Sequence, residues 1–194
     1  MTKYRLEAFS DGVFAIAITI LILNIRLPET DASHLQQALK DLAPHFVAYA
    51  MSFIVIGLYW VAHHTSFHKI AKVDGVFIWL NMLLLLFVSF MPFPAYLLGK
   101  YPLEEVPLML YGVTLIATNL MGFFMTLYTS YHPELLAESF TKKDFMKQYP
   151  IYILVNASYV IAIILAPFFP KVSYIIYIGI AFIMVFFYAR ISAK

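Results

Sequence analysis

The sequence has no cysteine and few charged residues. The absence of cysteine excludes a disulfide framework, a thiolate metal site and a cysteine nucleophile. Charged residues make up 12% of the 194 residues, about half the share that is usual in soluble domains. The net charge of +2 is too small to indicate nucleic acid as a partner. No segment resembles a phosphate-binding loop, a heptad repeat or a Ser-His-Asp arrangement.

Apolar and aromatic residues take the place of the missing charges. Apolar residues reach 62% and aromatic residues 18%, and such aromatic content suits interfacial belts in a membrane. Windows between charged residues predict six helices, at 11–26, 44–62, 76–98, 106–129, 150–169 and 171–190. The last five windows are long enough to cross a bilayer. The sequence therefore predicts an all-α integral membrane protein, with residues 1–194 forming one transmembrane domain of six helices.

The connections between these windows are short. Residues 32–40 predict a short capped helix before the second span, and Pro167 to Lys171 predict a tight hairpin before the sixth. The longest polar segment, 131–148, is expected to be helical in part. Pro92 and Pro94 indicate a kink in the third helix.

The distribution of lysine and arginine predicts the orientation in the membrane. With a cytoplasmic N-terminus, nine of these 13 residues lie on the cytoplasmic side and four lie outside. Because cytoplasmic loops carry the excess of positive charge, both termini are predicted to be cytoplasmic.

The first helix has an unusually short apolar core. The run from Val13 to Leu23 lacks the length of about twenty residues that a span needs. Its polar ends, at 5–11 and 24–26, would have to lie within protein rather than lipid, because ionisable groups in lipid are costly. The first helix is therefore predicted to be central.

Polar residues from three helices are expected at one depth near the cytoplasmic side. Opposite helix directions bring the start of the first helix, the end of the second and the start of the third together. The residues concerned are Arg5, Ser10, Asp11, Trp60, His63 and Asn81. An ionised aspartate at that depth needs donors, which the other members can supply. His64, His68 and Trp79 fit an interfacial position equally well.

These residues carry a resemblance to a known family. Arg5, followed by Phe9-Ser10-Asp11 and an apolar helix, resembles the signature of the transmembrane protein 175 family of potassium channels. Trp60-Val-Ala-His63, Asn81 and Phe90-Met-Pro-Phe93 are similar to that family too, and a chain with one six-helix repeat is similar to its prokaryotic members.

The resemblance implies a homotetrameric, potassium-permeable cation channel in a prokaryotic plasma membrane, with a pore lined by the first helix. It implies no enzymatic activity, no cofactor and no bound metal, only permeant K⁺. No Thr-Val-Gly-Tyr-Gly filter occurs in the sequence. The resemblance also implies a structural latch between helices, formed by Arg5, Phe9, Ser10, Asp11, Trp60, His63 and Asn81.

Helical geometry separates a possible pore face from the latch. At about 100° per residue, Thr19, Ile20 and Leu23 lie within about 60° of Ile16, whereas Asp11 lies about 140° away. Without the resemblance, apolar residues at this spacing favour simple packing, with the Thr19 hydroxyl bonded to the Ala15 carbonyl. With the resemblance, these four residues are predicted to form the pore constriction, and Thr19 is its only polar layer.

Two other functions compete with a channel. A proton-coupled secondary transporter could use Asp11 and His63 as a proton relay, but neither inverted repeats nor broken helices at mid-membrane are evident. A membrane enzyme could use His63, His64, His68 and Asp11 as metal ligands. The i, i+4 spacing places His64 and His68 on one face, but no glutamate lies between them, as a metalloprotease motif requires.

Overall fold

The computed structural model describes residues 2–192 and the side chains of residues 2–188. The described chain forms nine α-helices, some of them joined end to end. They are α1 (Lys3–Leu23), α2 (Leu35–Asp41), α3 (Ala43–His68), α4 (Gly75–Phe90), α5 (Pro92–Lys100), α6 (Glu105–Tyr131), α7 (Lys142–Met146), α8 (Tyr149–Leu165) and α9 (Pro170–Ser192).

Six segments are long and apolar enough to cross a membrane. They are α1, α3, the α4–α5 pair, α6, the α7–α8 pair and α9. This confirms the prediction of an all-α membrane protein with six transmembrane helices.

The helix boundaries differ from the charge-free windows where local contacts extend a helix into polar sequence. α1 already begins at Lys3, where the Thr2 hydroxyl accepts a hydrogen bond from the Arg5 backbone N–H at 3.4 Å. α3 continues past Ala62 to His68. The third span breaks at Met91, directly before Pro92. Proline cannot donate a backbone hydrogen bond and its ring obstructs the preceding turn, so the predicted kink is confirmed.

A short backbone pairing joins two loops at the end of the bundle that holds the N-terminus. The Ala71 N–H donates to the Leu135 carbonyl at 2.8 Å, and the Ala137 N–H donates to the Lys69 carbonyl at 3.0 Å. The segment that follows contains α7, which begins with a capping box between Thr141 and Asp144. The prediction of partial helix in 131–148 is confirmed.

α6 has the most helical neighbours within one chain. It packs against α4, α5, α7, α8 and α9, whereas α1 packs mainly against α3, α4 and α5. One face of α1 is buried and the opposite face is exposed. Within a single chain α1 therefore lies at the edge of the bundle, and the predicted central position would have to arise between several copies of the chain.

Candidate pore helix and its polar contacts

The buried face of α1 follows a regular helical spacing. Leu6, Ser10, Phe14, Ala17 and Leu21 recur every three or four residues and form one stripe. Four of the five are apolar, and Ser10 is the polar exception. This stripe faces α3 and α4, whereas most of the remaining surface of α1 is exposed in the single chain.

A buried polar chain ties α1 to α3 and α4. Asn81 on α4 donates from Nδ2 to the Ser10 hydroxyl at 3.0 Å, and Ser10 donates to the Leu6 carbonyl at 2.8 Å. His63 Nε2 lies 2.8 Å from Asn81 Oδ1. Because an amide oxygen only accepts, His63 must carry its proton on Nε2. Ser10 and Asn81 are fully buried and His63 is 5% exposed.

Aromatic contacts hold the His63 ring in place. The ring stacks on Phe67 with centroids 4.2 Å apart, and Phe14 approaches it at 5.4 Å. Phe67 in turn meets Phe77 edge-on at 5.4 Å. Packing and hydrogen bonding thus fix the same ring from different sides.

Asp11 belongs to a separate, exposed contact. Its Oδ1 accepts a hydrogen bond from Trp60 Nε1 at 2.8 Å, and both residues are exposed in the single chain. A turn away, Glu7 lies 3.9 Å from His64 Nδ1. The expected donor for Asp11 is present, but the expected burial of Asp11 is not.

Arg5 and Phe9 lie apart from these contacts. Both are exposed, Phe9 by 50%. Among residues 2–188, the Arg5 side chain has no hydrogen bond and no carboxylate within 4.0 Å. The structure therefore brings together five of the seven residues suggested as a latch, in two groups, and leaves these two outside both.

The residues suggested as a pore constriction share the exposed face of α1. Ile16 is 59% exposed, Ile20 40% and Leu23 65%, and Thr19 lies among them. The Thr19 hydroxyl lies 2.9 Å from the Ala15 carbonyl and 3.0 Å from that of Ile16. The expected bond to Ala15 is confirmed, and the hydroxyl oxygen still offers lone pairs.

The histidines suggested as metal ligands do not converge. In the described part of the chain, no three His, Asp or Glu residues lie close enough to hold a metal ion. His63 contacts Asn81, and Asp11 contacts Trp60. Two of the suggested ligands, His63 and Asp11, are thus hydrogen-bonded to different residues.

The sequence reading missed a polar contact at the start of α4. Asp74 caps the helix through the Phe77 N–H at 2.8 Å and accepts a hydrogen bond from the Tyr128 hydroxyl at 2.5 Å. Partial burial opposes ionisation of Asp74, but these hydrogen bonds outweigh it and lower the pKa of the carboxyl below its ordinary value. An aspartate directly before an apolar run was the available signal.

The fold and these contacts define a multi-pass α-helical membrane protein with one open helix face. Residues 5–92 match the model of the family described as "Endosomal/lysosomal potassium channel TMEM175". That segment contains all but the first two residues of α1, together with α3 and α4, and hence every residue of the buried polar chain.

Bacterial and vertebrate relatives extend the likeness. A potassium channel of Chryseobacterium sp. (strain P1-3) is 43% identical over 116 residues, which cover 60% of this chain and 59% of the relative. A potassium channel of Streptomyces collinus is 44% identical over 121 residues, with the same two shares. The chain thus spans about 59% of these relatives in alignment. The human endosomal/lysosomal proton channel TMEM175 is 41% identical over 101 residues, 47% of this chain and 20% of that protein.

Solved structures agree over nearly the whole chain. The crystal structure of a lysosomal potassium-selective channel TMEM175 homolog from Chamaesiphon minutus matches with a TM-score of 0.84 and 29% identity, covering 95% of this chain and 96% of that one. A variant of the potassium channel MtTMEM175 shares the fold, with a TM-score of 0.69 at 23% identity, over 98% and 94% of the two chains. The chain is therefore similar to the TMEM175 family over residues 5–92 and shares the fold of these channels.

Proposed function

We propose that the chain is a potassium-permeable cation channel in which several copies assemble with α1 around a shared pore. The observation that carries the proposal is the open face of α1, which bears Ile16, Thr19, Ile20 and Leu23, all of them exposed within the chain. The bacterial relatives named as potassium channels supply the ion, and the family resemblance supplies the number of subunits, four.

Charge on the open surface of α1 supports assembly. Arg5 and Asp11 are exposed in a helix that crosses the membrane. An ionised group facing lipid is costly, whereas one facing another subunit or a water-filled pathway is not. One helix from each of several copies is also needed to enclose a pore.

The proposed constriction combines apolar rings with one polar layer. Rings of Ile16, Ile20 and Leu23 would narrow the pathway and could gate it by dewetting. Thr19 places one hydroxyl per subunit between them. Hydrocarbon offers no oxygen to an ion, so any coordination at this level comes from Thr19 and the carbonyls behind it. Potassium holds its water less tightly than sodium, so a few weak oxygens would favour it.

The constriction is tested by ion flux in liposomes. Purified protein is reconstituted with a potassium gradient, and current or flux is measured for Leu23→Ala and Ile16→Asn. Both variants are expected to raise conductance or leak to larger cations, because they widen or wet the constriction. Ile22→Ala is the matched control, since Ile22 is 42% exposed but lies about 120° from Ile16 around the helix. Unchanged flux in both test variants would remove the stripe from the pathway.

The role of Thr19 is tested by selectivity. Thr19→Val keeps the side-chain shape and removes the hydroxyl, whereas Thr19→Ser keeps the hydroxyl. Under bi-ionic potassium and sodium conditions, the reversal potential is expected to move toward zero in Thr19→Val and to stay near the wild-type value in Thr19→Ser. Full selectivity in Thr19→Val would direct the search to the Asn24, Glu29 and Asp31 mouth.

Protons are a second candidate permeant ion, because vertebrate relatives are named proton channels. A pH-sensitive dye inside the same liposomes measures proton flux in the absence of potassium. Coupled proton transport through Asp11 and His63 receives less support, since the two side chains hydrogen-bond to different partners. Current down a potassium gradient alone would exclude that coupling.

A further inference from the structure

One charged residue shares the exposed stripe of α1 with the proposed constriction. At about 100° per residue, Arg5 lies about 20° from Ile16, and about five full turns separate it from Leu23, so these two residues point the same way. Phe9, which is 50% exposed, lies between them on the same stripe. α1 runs without a break from Lys3 to Leu23, so whatever the stripe faces, Arg5 faces too.

The other charged residues of α1 point in other directions. Lys3, Glu7 and Asp11 lie about 120–160° around the helix from Arg5. Glu7 approaches His64 Nδ1 at 3.9 Å, and Asp11 accepts a hydrogen bond from α3 at 2.8 Å. Among residues 3–23, Arg5 is therefore the only charged residue on the exposed stripe.

The charge of Arg5 is not neutralised within the chain. Its side chain is exposed, and no carboxylate among residues 2–188 lies within 4.0 Å of it. Along the helix axis Arg5 lies about 16 Å from Ile16. That distance exceeds the Debye length of about 10 Å at 0.1 M salt. The charge therefore acts on ions near the end of α1 rather than on ions at the constriction.

We propose that Arg5 forms a ring of positive charge at one mouth of the pore and limits the entry of cations there. The inference rests on the proposed function, in which several copies turn the stripe of α1 toward a shared axis. A continuous helix that turns Ile16 and Leu23 toward that axis also turns Arg5 toward it. A ring of positive charge lowers the local concentration of K⁺. K⁺ that enters at this mouth is reduced more than K⁺ that leaves by it, so the current rectifies.

The size of the effect follows from Coulomb's law with screening. Four charges about 8 Å from the pore axis, one for each subunit that the family resemblance implies, lower the local K⁺ concentration about three- to fivefold at about 0.1 M salt and less than about 1.5-fold at about 1 M. Arg5→Gln is therefore expected to raise the current that enters at this mouth by about three- to fivefold at the lower salt concentration, with little change at the higher one. Arg5→Lys keeps the charge and should retain the wild-type current.

Single-channel currents in planar bilayers, recorded at both salt concentrations and at voltages of both signs, measure this effect. The chain contains no cysteine, so Arg5→Cys gives each subunit one thiol that can be modified after assembly. A methanethiosulfonate reagent forms a mixed disulfide with that thiol and releases methanesulfinate. A positively charged reagent should restore the wild-type current, and a negatively charged reagent should raise the current above that of unmodified Arg5→Cys.

Tyr4→Cys is the matched control for the reagents. Tyr4 is 78% exposed in the same turn of α1, but it lies about 120° around the helix from Ile16. Both reagents should therefore change the current of Tyr4→Cys by less than about 1.5-fold.

Leu23→Ala separates a failure of this inference from a failure of the proposed function. Equal currents in the wild type and Arg5→Gln at the lower salt concentration would overturn the inference alone, provided that Leu23→Ala raises the conductance. Equal effects of the two reagents, or an Arg5→Gln effect that is the same at both salt concentrations, would assign Arg5 to packing and overturn the inference as well. Because the reagents act on the assembled channel, their comparison decides the question even where Arg5→Gln assembles poorly. If the wild type passes no potassium current, the proposed function fails and this inference fails with it.

Discussion

Replacing Asn81 by leucine removes the middle member of the buried polar chain. The wild-type amide accepts from His63 and donates to Ser10, and none of the three side chains is more than 5% exposed. After the change, Ser10 keeps its bond to the Leu6 carbonyl. The His63 Nε2–H keeps nothing, because its neighbours Phe14 and Phe67 are apolar.

The expected loss in the free energy of unfolding has two parts, the two hydrogen bonds of Asn81 and the His63 donor that is left unpaired. Interhelical hydrogen bonds in membrane proteins average about 0.6 kcal/mol each, so the two lost bonds account for about 1 kcal/mol. The unpaired His63 donor costs a further 1–3 kcal/mol or so. Asn81→Leu is therefore expected to lower the free energy of unfolding by about 2–4 kcal/mol. For a chain of this size that corresponds to a fall in Tm of about 4–16 °C.

A double variant separates the unpaired donor from other effects. His63→Phe combined with Asn81→Leu replaces both partners by apolar groups, and the new ring can keep the contact with Phe67. The double variant should recover about 1–3 kcal/mol relative to the sum of the single changes. Thermal unfolding of the detergent-solubilised protein, followed by fluorescence-detected size-exclusion chromatography, measures all four Tm values.

Asn156→Leu is the control variant for these measurements of stability. Asn156 bonds only to the carbonyl of Tyr152 on its own helix, so its loss unpairs no other side chain and should change stability by less than about 1 kcal/mol. A wild-type Tm for Asn81→Leu, or strictly additive losses in the double variant, would refute the reasoning.

Three further predictions concern other parts of the molecule. Gly112→Ala should destabilise by about 1–3 kcal/mol, because the new Cβ would overlap the buried Tyr177 hydroxyl, whereas Gly179→Ala meets nothing within 4 Å and should leave Tm unchanged or raised. The pKa of Asp74 is lower in the folded than in the unfolded protein, so ionised Asp74 stabilises the fold above the unfolded pKa of about 4. The free energy of unfolding should therefore decrease as the pH falls below ~4, and this decrease should be smaller in Asp74→Asn. Asp11→Ala should change the stability of the single chain by less than about 1 kcal/mol, since the contact between Asp11 and Trp60 is exposed. A loss of crosslinked oligomer in this variant would therefore indicate that Asp11 contacts another subunit, and an intact oligomer would argue against such a contact.

The spans were predictable because hydropathy acts over a long window. Six apolar stretches between charged residues gave six helices, and a proline pair gave the break at Met91. The helix ends were less predictable. α1 and α3 extend into polar sequence because capping, antiparallel packing and hydrogen bonds across helices offset the polar residues there. Such contacts join residues far apart in sequence, and no local pattern records them.

Some contacts of the candidate site could also be predicted from the sequence, and others could not. Depth matching correctly brought Ser10, His63 and Asn81 together, because antiparallel spans fix which ends meet. It could not separate Asp11 from that group, since depth says nothing about the direction of a side chain. A cavity of about 490 Å³ beside Asn119 was also out of reach, because its walls come from six helices and its volume depends on how they pack.

The contacts of the buried face of α1 fix the rotation of the helix about its axis, and that rotation decides which residues form the exposed face. Apolar packing alone fixes the rotation of a helix weakly, because Leu6, Phe14 and Leu21 would find similar partners after a small turn. A polar contact does not tolerate such a turn, and a single buried polar residue can set the register of packed helices. Ser10 reaches Asn81 at 3.0 Å only from its present face. A rotation of α1 by one residue, about 100°, would break that bond and move Ile16 and Leu23 together away from the open face of the chain. On the proposed function, the buried polar chain therefore determines which side chains face the pore without touching it.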